Sequence, residues 1–235
     1  MTPTKQRTQI LLVDDHPVVR HGLKQLLEQE EDLEVCCEAE GLEGALECIG
    51  RHQPHMAIVD LSLGTRDGLE LLKEIQAKHS WLPVLVVSMH EESLYSERVL
   101  RAGALGYLNK QEATETIVPA VRRVLAGGIY LSEKVAERRA ARRAAAPGLA
   151  PEASPLECLS DRELQVFRLI GQGETTRSIA EGLELSIKTI ETYRAHIKSK
   201  LGLKHSTELL QHAFLYWHAG EAALKEALEA RQAHG

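Results

Sequence analysis

Three carboxylates, a hydroxyl and a lysine stand where apolar runs stop. QILLVDDH, residues 9–16, runs from Ile10 to Val13 into adjacent Asp14 and Asp15. AIVD ends on Asp60, LVVS on Ser88 and GYLNK on Lys110. A turn needs one acid, so the Asp14–Asp15 pair asks for another cause. Carboxylates about 4 Å apart repel by roughly 4 kcal/mol per pair at an effective dielectric of about 20. Either raised pKa values or a cation must relieve them. An all-oxygen donor set selects a hard ion, and Mg²⁺ that keeps several waters suits a shallow rim. Mg²⁺ with a lysine would stabilise a phosphoryl group in transfer, and one carboxylate would be the nucleophile. Asp60 is the candidate, being a lone acid followed by LSLGTRDG, which reads as a loop. Taken singly, Asp14, Asp15 or Ser88 could cap a helix, Asp60 could close a turn, and Lys110 could be solvated. Their recurrence at successive run ends favours one shared site.

The elements that would position them alternate. β-rich runs occupy 9–14, 33–38, 55–60, 83–88 and 104–108. Between them, 17–29, 42–52 and 68–79 repeat apolar residues at helical spacing, and two more such segments lie near 93–102 and 112–126. Five strand–helix alternations predict an α/β fold, a doubly wound five-stranded parallel sheet. ILLV and VLVV are apolar on both faces, as central parallel strands are. Such sheets place chemistry beyond the carboxyl ends of their strands, where the five residues would meet if the first, third, fourth and fifth strands are neighbours.

After residue 130 the pattern changes. Residues 131–156 read as a linker, a helical start that decays into Pro/Gly/Ala-rich chain, with Arg139, Arg142 and Arg143 as possible phosphate contacts. From residue 157 the signal is all helical. Ser160 and Glu163 form a capping box. TTRSIAEGLEL and SIKTIETYRAHIKSKLG read as two helices around a short turn, with Ser186 capping the second. Ile179, Ala180, Leu183 and Leu185 point inward, and Ile190, Ile197 and Leu201 form the second helix's buried stripe. Lys188, Glu191, Thr192, Ala195 and Lys198 remain outside, flanked by Arg194, a mixture suited to reading base edges and anchoring on phosphate. A solvated polar face is the plainer reading of that helix alone. A fourth helix runs over 206–220, and residues 220–235 form a tail with a short helix carrying Leu224 and Leu228 on one face.

Bulk properties bound the class. The chain has 235 residues, 43% of them hydrophobic and 26% charged, with a net charge of -6. That charge is unevenly spread: residues 1–130 hold 13 basic against 20 acidic residues, whereas 186–204 holds five basic residues and Glu191 alone. No apolar run approaches a membrane span and the polar N-terminus is unlike a signal peptide, so a cytoplasmic protein without membrane contact is expected. Cys36, Cys37, Cys48 and Cys158 show no C-x-x-C spacing. They read as reduced thiols used as small apolar residues, with redox sensing by the adjacent Cys36–Cys37 pair as the sharper alternative.

LLVDDH, IVDLSLGTRDGLELL, VLVVS and GALGYLNK together resemble a response-regulator receiver domain over residues 9–130, within a first domain of 1–130. The resemblance implies a flavodoxin-like fold and Asp60 as phosphoacceptor. It implies Mg²⁺ held by Asp14, Asp15 and Asp60 with the backbone carbonyl of Ser62, Lys110 paired with the phosphoryl group, and Ser88 and Tyr107 as a switch pair whose ring follows the hydroxyl inward. Residues 157–219 resemble the LuxR-type helix-turn-helix, implying a recognition helix over 186–200. Glu191, Thr192 and Ala195 would face bases, and Lys188, Thr189, Arg194 and Lys198 would lie near phosphates. Tyr193 stands where the family often has histidine, with His196 following. The whole is similar to a NarL/FixJ-type response regulator: a transcription regulator rather than an enzyme, taking a phosphoryl group from a sensor histidine kinase, dimerising, and binding double-stranded DNA.

Three departures stand out. Gly64 replaces a common proline and should loosen the loop after Asp60. Met89 replaces a small residue after Ser88 and should restrict access. Gln111 follows Lys110 where proline is common, so a trans bond is expected there. Two other functions compete. A phosphorylation-independent DNA-binding regulator would keep the receiver only for dimerisation. A Mg²⁺-dependent phosphatase would need a second acid two residues after Asp60, where Ser62 stands instead.

Overall fold

The computed structural model describes residues 7–64, 66–144 and 154–232. The chain divides into two units, 1–146 and 147–235.

In the first unit the apolar runs become the strands β1 (Thr8–Val13), β2 (Leu33–Ala39), β3 (Met56–Val59), β6 (Val84–Ser88) and β7 (Gly106–Asn109). They form one parallel sheet in the order β2-β1-β3-β6-β7. Helices α1 (Pro17–Glu28), α2 (Leu42–His52), α3 (Gly68–Lys78), α4 (Glu92–Arg101) and α5 (Ala113–Leu125) supply the crossovers. All four residues of β3 are buried, which is why its sequence does not alternate. Ile10, Leu12, Met56, Ile58, Leu85, Val87 and Leu108 pack with Leu23 and Leu27 of α1 and Ile117, Val121 and Val124 of α5. Leu11, Val13, Ala57, Val59 and Val86 are equally buried and alternate onto the other face. The last strand starts two residues later than its sequence predicts, because Gly103 (φ 100) turns the chain before Ala104.

One local feature departs from the sequence reading. The stretch after Asp60 is an ordered hairpin, β4 (Ser62–Leu63) pairing antiparallel with β5 (Arg66–Asp67). Gly64 holds φ 60 there and donates its N–H to Asp15 Oδ2 at 2.8 Å. A proline could neither reach that φ nor donate, so glycine ties this loop to the first strand end rather than loosening it. The helical start of the 131–156 stretch is α6 (Glu133–Ala144), whose Arg139 pairs with Glu97 of α4 at 3.0 Å. Backbone N–H of Ser132 donates to Glu92 at 2.8 Å. The expected Pro/Gly/Ala-rich stretch over 145–153, the Arg143 side chain and the N-terminal residues 1–6 lie outside the described residues.

The second unit is helical: a one-turn 3₁₀ segment (Pro155–Cys158), α7 (Asp161–Gly171), α8 (Thr176–Gly182), α9 (Ile187–Lys200) and α10 (Ser206–Gln232), the last broken at Gly220 with φ 82. The starts of α7, α8 and α9 are capped by hydroxyls, Ser160, Thr175 and Ser186 accepting from Glu163, Ser178 and Thr189 backbone N–H groups. Leu164, Phe167, Ile170, Ile179, Ile190, Ile197, Leu209 and Ala213 form its core. Leu183 and Leu185 are only half-buried. Among the described residues no helix is long and apolar enough to cross a membrane, and there is no cis peptide bond.

Candidate phosphoryl site and nucleic-acid surface

The strand order brings the ends of β1, β3, β6 and β7 side by side, and with them the residues that follow. Asp14 and Asp60 are 3% and 2% exposed, so both carboxylates sit in a low-dielectric pocket. Lys110 bridges them, with Nζ 2.7 Å from Asp60 Oδ2 and 2.5 Å from Asp14 Oδ2. One ammonium facing two buried carboxylates leaves net negative charge. Burial pushes the Asp60 pKa up, and the nearby Asp14 adds to this, against the opposing pull of Lys110. Burial alone would lower the lysine, yet Asp60 and Asp14 together hold it above its ordinary value.

Asp60 Oδ1 is buried with no hydrogen-bond partner. A carboxylate oxygen left that way costs free energy unless something electropositive joins it. Asp14, Asp15, His16 and Asp60 offer ligand atoms within 4.8 Å of one another, a group that fits a cation. His16 was not among the candidate residues read from the sequence; its Nδ1 lies 2.6 Å from Asp15 Oδ1, and its backbone N–H donates to Asp14 Oδ1 at 2.8 Å. It occupies the cap position of α1 without making a side-chain cap. Oxygens dominate the set, as a hard ion prefers.

Across the rim, Ser88 is fully buried. His90 links its neighbours: Nε2 lies 3.1 Å from Ser62 Oγ, the ring stacks on Tyr95 of α4 at 4.8 Å, and the carbonyl accepts from Tyr107 hydroxyl at 2.6 Å. Tyr107 itself is 0% exposed, and burial raises its pKa well above the ordinary phenol value. Met89 is 58% exposed and lines the same surface cavity as His16 and Lys110.

In the second unit, α8 and α9 meet across a turn in which Glu184 takes φ 54. Ile190 and Ile197 are fully buried, and Leu201 is 8% exposed. Lys188, Glu191, Thr192, Ala195 and His196 face solvent, while Thr189, Tyr193, Arg194 and Lys198 are half-buried. Thr189 spends its hydroxyl on Ser186 at 2.8 Å, and Thr192 back-bonds to the Lys188 carbonyl at 2.9 Å. Glu163, 3% exposed, anchors α9 from beneath: it accepts from Lys200 Nζ at 2.6 Å and from Ser160 N–H at 2.7 Å.

Residues 10–122 match the response regulator receiver domain, and residues 157–213 match the luxR family of bacterial regulatory proteins. The oxygen regulatory protein NreC of Staphylococcus carnosus is 34% identical over 87% of this chain and 95% of its own length. The chain belongs to the NarL/FixJ-type response regulators. A solved structure of the RcsB response regulator of Salmonella typhimurium superposes with a TM-score of 0.68 at 29% identity, over 88% of this chain and 97% of that one. Another, of RcsB from Salmonella enterica serovar Typhimurium bound to promoter rprA in the presence of phosphomimetic BeF3-, gives 0.63 at 28% identity, covering 88% and 98%.

The response regulator is thus a two-component, DNA-binding transcription regulator with a helix-turn-helix. Its sheet gathers Asp14, Asp15, Asp60, Ser88 and Lys110 at one rim, with Ser62 on the hairpin beside it. Sequence reasoning missed His16 and His90. The signal for His16 was present, since it directly follows the two acids. His90 lies 28 residues from Ser62, and no local pattern links them.

Proposed function

We propose that this response regulator is a phosphorylation-switched transcription regulator whose phosphoacceptor is Asp60. The observation that carries the reading is the Asp60 carboxylate itself: buried, one oxygen held by Lys110, with Asp14 and Ser88 beside it. In this reading an Asp60 oxygen attacks phosphorus, the bond to the kinase's phosphohistidine breaks, and an acyl phosphate forms. Lys110 moves its charge from the carboxylate to the incoming phosphoryl oxygens. Asp14, Asp15 and Asp60, with the Ser62 carbonyl, would hold Mg²⁺, which supplies charge neutralisation for those oxygens. Ser88, at the end of β6, donates to the phosphoryl group, and Tyr107 and His90 relay the change to α4.

The output is double-stranded DNA bound by α9. Glu191, Thr192 and Ala195 face base edges, and Lys188, Thr189, Arg194 and Lys198 lie towards phosphate. A single helix-turn-helix with balanced charge binds weakly, so pairing of two copies on a half-site repeat follows. The structure of RcsB bound to promoter rprA supports DNA as the target. Domain limits of 1–130, 131–156, 157–219 and 220–235 belong to the same proposal.

The test is phosphoryl incorporation from a small phosphodonor with and without Mg²⁺, comparing wild type with Asp60→Asn. Mg²⁺-dependent labelling lost in the variant is expected. A folded wild type that takes no label would sink the scheme.

A further inference from the structure

Adjacent residues of a strand normally point to opposite faces of the sheet. Cys36 and Cys37 of β2 do not. The β1–β2 register pairs Ile10 with Val35 and Leu11 with Cys37, so Cys36 is the extra residue of a bulge. The bulge turns both thiols to one side, with Sγ atoms 3.6 Å apart. Both side chains are half-buried, on an edge strand that leaves them reachable from solvent.

Two chemistries are open to such a pair, and geometry separates them. Consecutive Cα atoms lie about 3.8 Å apart across a trans peptide, inside the lower limit of about 4.4 Å for ordinary disulfides. Oxidation to a disulfide would therefore strain the bulge. A thiophilic ion asks for something else. With metal–sulfur bonds of about 2.3 Å, two ligands of a tetrahedral ion lie about 3.8 Å apart. The separation in the bulge is close to that edge without any backbone movement.

We propose that Cys36 and Cys37 form a dithiol site for a soft, thiophilic metal ion, unrelated in donor chemistry to the oxygen-lined rim at Asp60. Cys48, on α2, flanks the pair as a third thiol: it bears on Cys37 and donates to the Glu38 carbonyl at 3.7 Å. Binding is a proton exchange and needs no oxidant. Each thiol that ligates gives its proton to solvent, and each sulfur donates an electron pair to the metal. Burial raises the pKa of both thiols, so protons compete with the metal and affinity rises with pH.

The test uses the full-length reduced chain carrying Cys158→Ser, with excess Mg²⁺ to occupy the acidic rim, titrated with Cd²⁺. Thiolate-to-cadmium charge-transfer absorption arises only from sulfur ligation. The expected result is a band that saturates at one ion per chain, with proton release, and that is lost in Cys36→Ser and in Cys37→Ser and weakened in Cys48→Ser. No band at stoichiometric Cd²⁺, or a band that survives in the Cys36→Ser/Cys37→Ser chain, overturns the proposal. A second measurement needs no variant at the pair: Cd²⁺ should protect Cys36 and Cys37 from alkylation, mapped by peptide mass. Equal alkylation with and without the ion overturns it, as does ready formation of a Cys36–Cys37 disulfide under mild oxidant.

Discussion

Tyr107 donates its hydroxyl to the carbonyl oxygen of His90 at 2.6 Å from a position with no solvent exposure. The bond joins β7 to the loop after β6 and fixes the ring inside the receiver. Tyr107→Phe keeps the ring and leaves the carbonyl short of one donor, so it should cost about 1 kcal/mol. Tyr107→Ala also opens a cavity and should cost about 3–5 kcal/mol. Urea unfolding of the full chain checks both; equal midpoints for the two variants would show that ring packing contributes nothing.

Gly68 lies outside the acidic rim yet controls it. A methyl group there would overlap the Asp60 carbonyl and come within 2.7 Å of Leu61 Cα. Gly68→Ala must therefore push the backbone that carries Asp60. Expected are a loss of about 1–3 kcal/mol in stability and slower phosphoryl incorporation at unchanged Asp60, Lys110 and Mg²⁺ concentration. Normal labelling kinetics in this variant would mean that the rim tolerates backbone displacement.

Glu163 makes the helical unit sensitive to acid. Burial acts to raise its pKa, but Lys200 and the Ser160 cap outweigh it and hold the carboxyl below its ordinary value of 4.5. A carboxylate depressed on folding contributes stability that is complete above the unfolded pKa and is lost as pH falls through the folded one. The melting temperature of the helical unit should therefore fall as pH drops below about 4.5, and Glu163→Gln should flatten that fall. Glu163→Ala removes both the cap and the Lys200 pair and should cost about 2 kcal/mol at neutral pH.

On α9, a phosphate contact and a base contact should behave differently. Lys188→Ala or Lys198→Ala should weaken binding to all DNA sequences alike and reduce the salt-dependence slope by about one. Glu191→Ala should instead change which bases are preferred at one position. Binding measured across salt concentrations, on a specific and an unrelated duplex, separates the two. A Lys188→Ala chain with an unchanged slope would remove that residue from the phosphate contacts.

Much of the fold was legible because it is written in local periods. Buried parallel strands have apolar runs, and their covering helices repeat at 3.6 residues, so QILLVD and LEGALECIGRH declare themselves. The acids at the strand ends were legible for the same reason, since the end of an apolar run is visible in one dimension. What depends on contacts between distant segments was not. The hairpin after Asp60 rests on a bond from Gly64 to Asp15, 49 residues away. The packing of α6 on α4 rests on Arg139 meeting Glu97. The β2 bulge shows only when β1 is laid beside it, because a one-residue shift leaves LEVCCEA unchanged as a string.

Lys110 directly follows the last strand of the sheet to be made, yet it pairs with the acids that directly follow the first and third. A nascent chain emerging from the ribosome therefore holds Asp14 and Asp60 as unmatched charges until β7 docks. The residue after the strand that completes the sheet supplies the ammonium, so arrival of the counter-charge and completion of the sheet coincide. A product ending before residue 110 would keep Asp14 and Asp60 and lack the ammonium that pairs with both. The counter-charge of the rim is in this way tied to completion of the sheet.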